Sequence, residues 1–262
     1  MLKPKAIILK ADGINRDEDM AHAFNIAGAD AELVHINDLR SKTKKLSDYQ
    51  ILGIPGGFAY GDDIVSGKVL ATEMVAYLSG ELKKFVARKN TAVIGVCNGF
   101  QVLVRTGLVP FDRIGEMDAT LVNNDSGHFE CRWIKVKVEK GSRSKFLTGL
   151  EDEILWYPVA HGEGKFIATP KILNRIEKEN LVAFRYVDDS GTPTQKYPDN
   201  PNGSTNAIVG ISDETGRVLG LMPHPECFVR IEQHPNWRRG LENGPQGLPL
   251  FENIVNFVKN NG

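Results

Sequence analysis

The sequence predicts an α/β protein: a mostly parallel sheet with helices on both faces, and antiparallel strands added in the second half. Three observations carry this. Residues 5–106 alternate short apolar runs with segments of helical periodicity, the order that builds parallel strands covered by helices. Thr91–Val96 (TAVIGV) is apolar throughout, as a central strand buried on both faces requires. Beyond about residue 110 the pattern turns to apolar–polar alternation broken by turn formers, which marks antiparallel strands.

The elements follow in order. Lys5–Lys10 (KAIILK) reads as the first strand, and Asp17–Ala29 as a helix with Met20, Ala23, Phe24 and Ala27 on one face. Glu32–Ile36 and Gln50–Ile54 read as the next two strands; the second runs into Pro55-Gly56-Gly57. Val69–Ala87 is a long helix, followed by the strand Thr91–Val96 and the helix Asn98–Thr106. The alternating part gives strands at Phe129–Val138, Lys165–Ala168, Leu181–Phe184, Ala207–Ile211 and Val218–Leu221. Tyr197–Ser204 (YPDNPNGS) is dense in turn formers and reads as an exposed, shaped loop. Residues 228–248 read as irregular, and Leu250–Lys259 as a closing helix. With no internal repeat or linker, residues 1–262 form one domain in this reading.

Composition excludes several classes. Of 262 residues, 41% are apolar and 25% charged, with a net charge of -1, so the totals point to neither nucleic acid nor membrane as a partner. Three cysteines, Cys97, Cys131 and Cys227, are too few and too irregular for a disulfide framework and suit a reducing compartment. The apolar run Ala6–Leu9 is shorter than the roughly 7–15 residues of a signal-peptide core. No run approaches the ~20 residues of a membrane span, so a cytoplasmic location is expected. No Cys/His cluster has zinc spacing, and no G-x-x-x-x-G-K-[ST] phosphate loop is present; a metal or nucleotide site is not expected in this chain.

The sharpest chemical signal is Gly95-Val96-Cys97-Asn98-Gly99, between an apolar strand and a helix. It is the cysteine form of the G-x-S-x-G elbow, in which glycines two before and two after the nucleophile let crowded backbones approach. A buried structural cysteine at a tight turn is the plain alternative, and the flanking strand, glycines and helix weigh against it. Cys131 reads as a strand residue and Cys227 as a bystander. Of six histidines, His224 in Leu219–Glu226 (LGLMPHPE) is the candidate base: a strand carries it to the sheet edge where Cys97 is expected. Pro225 biases His224 toward extended backbone, which would point His224 and Glu226 the same way and let the carboxylate orient the ring. His234 also precedes a proline but has Asn236 in the acid's place; His22 and His35 read as structural, and His128 carries no such pattern. His161, in Ala160–Gly164 (AHGEG), is a secondary candidate. The N–H groups of Gly57 and Asn98 are the natural pair of oxyanion donors, though a plain turn would look the same at Gly57. Gln101, one helical turn after Cys97, reads as a substrate contact or as an ordinary polar helix residue.

Together these residues resemble the class I, triad-type glutamine amidotransferases, whose pattern C-x-G-x-Q is matched by Cys97, Gly99 and Gln101 and whose late H-x-E is matched by His224 and Glu226. A narrower resemblance, to the glutaminase subunits of phosphoribosylformylglycinamidine synthases, rests on Asp12–Asp17 (DGINRD), Gly56–Asp62 (GGFAYGD), Gly95–Gln101 (GVCNGFQ), Ala160–Gly164, Asn200–Ser204 (NPNGS) and Met222–Glu226 (MPHPE). The resemblance implies a flavodoxin-like fold, a Cys97–His224–Glu226 triad, glutamine as substrate, and ammonia passed to a synthetase subunit that uses ATP and formylglycinamide ribonucleotide. It implies no cofactor in this chain, places ATP and Mg²⁺ on the partner, and leaves open a small third subunit. The stretch 227–262 is longer than in short forms of such subunits and looks more like the glutaminase portion of a single-chain synthase. Two other readings share the elbow: a stand-alone cysteine amidohydrolase or deglycase of the same fold, and a non-catalytic binding subunit.

Overall fold

The structure is a computed structural model and describes residues 3–240 and 244–262. Residues 241–243, inside the stretch read as irregular, lie outside the described residues.

The first half is built as its periodicity dictates. Strands β1 (Lys5–Lys10), β2 (Asp30–His35), β3 (Ile51–Ile54) and β4 (Ala92–Val96) are parallel neighbours in the order β2-β1-β3-β4. Every residue of β3 and β4 is buried, which is why their sequences lack alternation. Helix α1 (Asp17–Ile26) returns the chain from β1 to β2 in one direction, and α3 (Lys68–Ala87) returns it from β3 to β4 in the other. Right-handed crossovers in opposite directions put these helices on opposite faces of the sheet. The change of direction between β1 and β3 opens a crevice beyond their carboxyl ends, the usual ligand position in such sheets.

The second half extends this sheet. Strand β11 (Val218–Leu221) lies parallel to β4. From it β10 (Ile208–Ser212), β9 (Val182–Tyr186), β6 (Glu130–Val138) and β7 (Ile154–His161) follow antiparallel, for nine strands in all. The sheet curls so far that its last strand returns to its middle: the His224 N–H after β11 donates to the Pro158 carbonyl of β7 at 2.9 Å. That closure brings together segments far apart in sequence. Helices α4 (Asn98–Thr106) and α6 (Leu248–Asn260) pack on the sheet, with Phe251 of α6 edge-on to Phe24 of α1 at 5.0 Å.

Several expectations need correction. Helix α1 stops at Ile26, and β2 runs to His35, whose ring accepts the Asn37 N–H and so caps a short helix α2 (Ile36–Arg40). Lys165–Ala168 (β8) joins a separate two-stranded ribbon with β5 (Ala119–Val122). Strand β7 is absent from the sequence reading because Pro158 interrupts it; β7 is the edge strand, where a missing N–H is tolerated. Helix α5 (Pro170–Lys178) was hidden by its polarity, since Ile176 alone is buried. Within Tyr197–Ser204, Tyr197 is exposed, but Asn200, Asn202 and Ser204 are buried; their side chains bond to the loop itself and to Gly164 and Phe166. Residues 228–240 form short 3₁₀ turns, and His234 is buried against Trp133, Trp156 and Phe228.

The glycines of the elbow are fixed by contact. A Cβ on Gly99 would lie 1.9 Å from the Ile54 carbonyl oxygen, and one on Gly95 2.5 Å from that of Gly99. Gly80, in the exposed middle of α3, would meet nothing within 4 Å. Chemical denaturation should therefore separate them. Gly99→Ala is expected to lose about 1–3 kcal/mol or more, because backbone must move, whereas Gly80→Ala should gain about 0.5–1 kcal/mol. Equal effects at the two sites would refute the close approach.

Candidate active site

Cys97 closes β4 and opens α4 with φ 53° and ψ −108°, a conformation that side chains rarely adopt. Its N–H donates to the Leu221 carbonyl at 2.8 Å, which ties the elbow to the end of β11. Only 5% of Cys97 is exposed, and its thiol donates to the Ala160 carbonyl at the end of β7, with sulfur to oxygen 3.6 Å.

His224 follows β11 and is 4% exposed. Its Nδ1 lies 2.6 Å from Oε1 of Glu226, itself 1% exposed. The expected reason for this contact is wrong, although the contact forms. Glu226 belongs to the 3₁₀ turn Pro225–Phe228, so a tight turn, rather than alternation along an extended segment, brings the carboxylate under the ring. With Nδ1 committed to Glu226, the free ring nitrogen is Nε2, which is buried and has no hydrogen-bond partner among the described residues. Cys227 is no distant bystander: its sulfur, a His224 ring nitrogen and a Glu226 oxygen lie within 4.8 Å of one another. Because Nδ1 is already bonded to Glu226, we read these three groups as the expected His224–Glu226 pair with Cys227 beside it rather than as a metal site.

The wall opposite comes from the loop after β3. A Cβ on Gly56 would lie 2.7 Å from Cε1 of His224 and 3.4 Å from the Cys97 Cβ, so the loop backbone passes directly over both. Gly57 has φ 139° and interlocks with Gly13 of the β1 loop, whose absent Cβ would lie 2.0 Å from the Phe58 carbonyl oxygen. Phe58 N–H donates to the Gly13 carbonyl at 2.9 Å, while the Gly57 N–H has no acceptor among the described residues. The Asn98 N–H is in the first turn of α4, where no intrahelical acceptor exists. Both expected oxyanion donors are thus uncommitted and flank the nucleophile.

The side chains of Asn98 and Gln101 are committed. Asn98 Nδ2 donates to Asp62 at 3.1 Å and to Gln101 Oε1 at 3.0 Å, and its Oδ1 accepts the Ala59 N–H at 3.3 Å. Gln101, 3% exposed, also donates to the Glu163 carbonyl. Gln101 therefore clamps the Ala160–Gly164 loop to α4. Asp62, Glu163 and Asn124 belong to this frame and escaped the sequence reading, since polar residues in loops look alike without their partners. His161 is 3% exposed, and Asn124 Oδ1 lies 3.1 Å from its Nδ1. His22 and His128 are exposed, and Cys131 is exposed on β6 as a strand residue.

The electrostatics assign one charge to the two buried imidazoles. Burial alone would lower the pKa of His224, but the Glu226 carboxylate and Cys97, once its sulfur is the thiolate, outweigh it and raise it to about 10, so the ring holds the proton that it takes from the thiol. Burial and the nearby His224 lower that of His161 to about 3. Protonated His224 thus favours the folded state; this contribution is complete below the free value near ~6.5 and is lost as pH rises toward about 10. His161 acts in the opposite sense: its neutral form favours folding above ~6.5, and that contribution fades as pH falls toward about 3.

The CobB/CobQ-like glutamine amidotransferase domain family matches residues 3–258. The phosphoribosylformylglycinamidine synthase subunit PurQ of Dehalococcoides mccartyi is 43% identical over 260 residues, covering 99% of each chain. The phosphoribosylformylglycinamidine synthase of Drosophila melanogaster is 35% identical over 269 residues, which span 98% of this chain and 20% of that protein. The solved structure of PurLQS from Thermotoga maritima aligns with a TM-score of 0.74 at 29% identity, over 98% of this chain and 100% of that one. A free-standing subunit and a single-chain synthase both align almost end to end with this chain, so its C-terminal stretch does not distinguish the two arrangements.

Removing the carboxylate charge should release the His224 ring. In Glu226→Gln the His224 titration, followed by NMR, is expected to move down from about 10 by more than one unit, because burial then acts with less opposition. An unmoved titration would show that Glu226 does not sustain the imidazolium.

Proposed function

The chain belongs to the CobB/CobQ-like glutamine amidotransferase family, and from that premise we propose that it is the glutaminase subunit of a phosphoribosylformylglycinamidine synthase. One glutaminase domain over residues 1–262 would release ammonia from glutamine and deliver it to a synthetase subunit. The observation that carries the reading is the buried His224–Glu226 pair, 2.6 Å apart, at the sheet edge beside Cys97 in its elbow.

In the proposed cycle His224 takes the Cys97 proton and the sulfur attacks the carboxamide carbon of glutamine. The N–H groups of Gly57 and Asn98 stabilise the oxyanion, a contribution of about 3–4 kcal/mol per donor where one has been removed elsewhere. His224 then protonates the departing nitrogen, the C–N bond breaks, and a glutamyl thioester remains. Water gives a proton to His224 and attacks the thioester; glutamate leaves and the thiol reforms. Glu226 holds the tautomer and supports the positive ring throughout. Gln101 keeps the Ala160–Gly164 wall in place.

The chain needs no cofactor in this reading; ATP and Mg²⁺ belong to the synthetase, and formylglycinamide ribonucleotide is aminated there in purine biosynthesis. The partners are glutamine and that synthetase, with a small third subunit left open, and with no nucleic acid and no membrane. No helix of the described residues is long and apolar enough to cross a membrane; a cytoplasmic setting is part of the proposal.

Glutamate release, measured for the chain alone and with the synthetase, ATP and formylglycinamide ribonucleotide, tests this. Wild type should be stimulated by the complete mixture, and Cys97→Ala should lose at least about 10⁴-fold in kcat. Activity that survives the substitution would overturn the assignment of the nucleophile. Hydrolysis indifferent to the partner would favour a stand-alone amidohydrolase or deglycase.

A further inference from the structure

Four of the hydrogen bonds of Asn124 go to one segment, His161–Gly164. Its N–H donates to the Gly162 carbonyl at 2.9 Å. Its Nδ2 donates to the carbonyls of His161 at 2.8 Å and His128 at 2.9 Å. Its Oδ1 accepts the Gly164 N–H at 2.9 Å and lies 3.1 Å from His161 Nδ1. Two carbonyls facing Nδ2 fix the amide's orientation, so Oδ1 can only accept, and His161 must carry its proton on Nδ1. Asn124 is 4% exposed and His161 3%, and the remaining nitrogen of His161, Nε2, is buried without a partner among the described residues. The residue before this locked histidine is Ala160, whose carbonyl holds the Cys97 thiol at 3.6 Å.

We propose that the Asn124–His161 pair is a positioning device for the nucleophile: by fixing the ring and main chain of His161 it sets the Ala160 carbonyl, and through that carbonyl the direction of the Cys97 sulfur. The carbonyl accepts from the resting thiol and repels the sulfur once its proton has left, which turns the nucleophile toward His224 and the substrate. A rigid carbonyl does this; a mobile one lets the sulfur swing away. The neutral ring serves the same end, because a second cation at this place would oppose the charge on His224. His161 touches neither the sulfur nor a reacting atom in this scheme and is a positioning residue, not a catalytic one.

The inference rests on the glutaminase reading, and two readouts keep their failures apart. One is glutamine hydrolysis by the full chain with its synthetase. The other is the rate at which iodoacetamide alkylates Cys97 in the full chain, followed on the Cys97 peptide by mass spectrometry. In His161→Ala, kcat should fall about tenfold with KM for glutamine changed less than about twofold, and alkylation should slow in step. His161→Asn places an amide N–H where Nδ1–H was and should recover both rates to within about threefold of wild type. His161→Gln, whose amide occupies the place of Nε2, should not recover them. An Asn variant as impaired as the Ala variant would overturn the lock, as would a loss confined to KM. Absence of glutamine hydrolysis in the wild type would count against the glutaminase reading alone, and the alkylation series would still decide the lock.

Discussion

The turn at Cys97 exists because three stretches of backbone touch where no side chain can intervene. Ile54 at the end of β3, Gly95 in β4 and Gly99 in α4 leave no room for a Cβ at either glycine. Helix α4 therefore starts directly against two strands, and the residue between must take φ 53°. Such a conformation carries about 1–3 kcal/mol of strain. The strain persists because β4 is buried on both faces and α4 is buried along nearly its whole length. The same contact sets the sulfur at the carboxyl edge of the sheet and leaves the Asn98 N–H pointing past it. The proposed nucleophile and one proposed oxyanion donor are thus consequences of one packing constraint.

The remaining parts depend on the curl of the nine-stranded sheet. Parallel order alone brings β11 beside β4 and so His224 beside Cys97. The antiparallel extension then returns β7 to the middle, where Pro158 and Ala160 offer carbonyls to the His224 N–H and the Cys97 thiol. The buried charge is arranged with equal economy. Glu226 can stay ionised in the interior because His224 shares its proton at 2.6 Å, and the neighbouring His161 stays neutral. Burying two cations and one anion would leave a net charge in a region of low dielectric, which is far less favourable than one pair.

The legible part of this protein was local. The elbow, the H-x-E segment and the strand–helix order of the first half are runs of fewer than about twenty residues whose periodicity reports their surroundings directly. What escaped was set by tertiary contact. Strand β7 was concealed by Pro158, a residue tolerated because no further strand pairs with the outer edge of β7. Helix α5 is short and mostly polar, with a stripe of only Ile172, Leu173 and Ile176 against the core. Asn200 and Asn202 read as turn formers and Asn124 drew no reading, yet each is buried and satisfied by backbone groups about four to forty positions away in sequence. The same composition that marks an exposed turn also suits a buried loop, since both need side chains that replace backbone partners. The pairing of His224 with Glu226 shows a different limit: the residues were right and the expected backbone was not, because a two-residue separation brings side chains together in more than one conformation.

The site is fully assembled and nearly closed. Cys97 and His224 are 5% and 4% exposed, and the free ring nitrogen of His224 is inaccessible to solvent. Glutamine must therefore displace part of the wall to reach the sulfur. The wall has two parts, the loop after β3 and the loop after β7, and both are fastened to α4: Ala59 and Asp62 through Asn98, and Glu163 through Gln101. Asn98 and Gln101 are bonded to each other at 3.0 Å, so a shift of either loop is felt by the other through a single side-chain contact. Asn98 also carries one of the two proposed oxyanion donors, so the residue that fastens the loop after β3 is the one that follows Cys97 in the elbow.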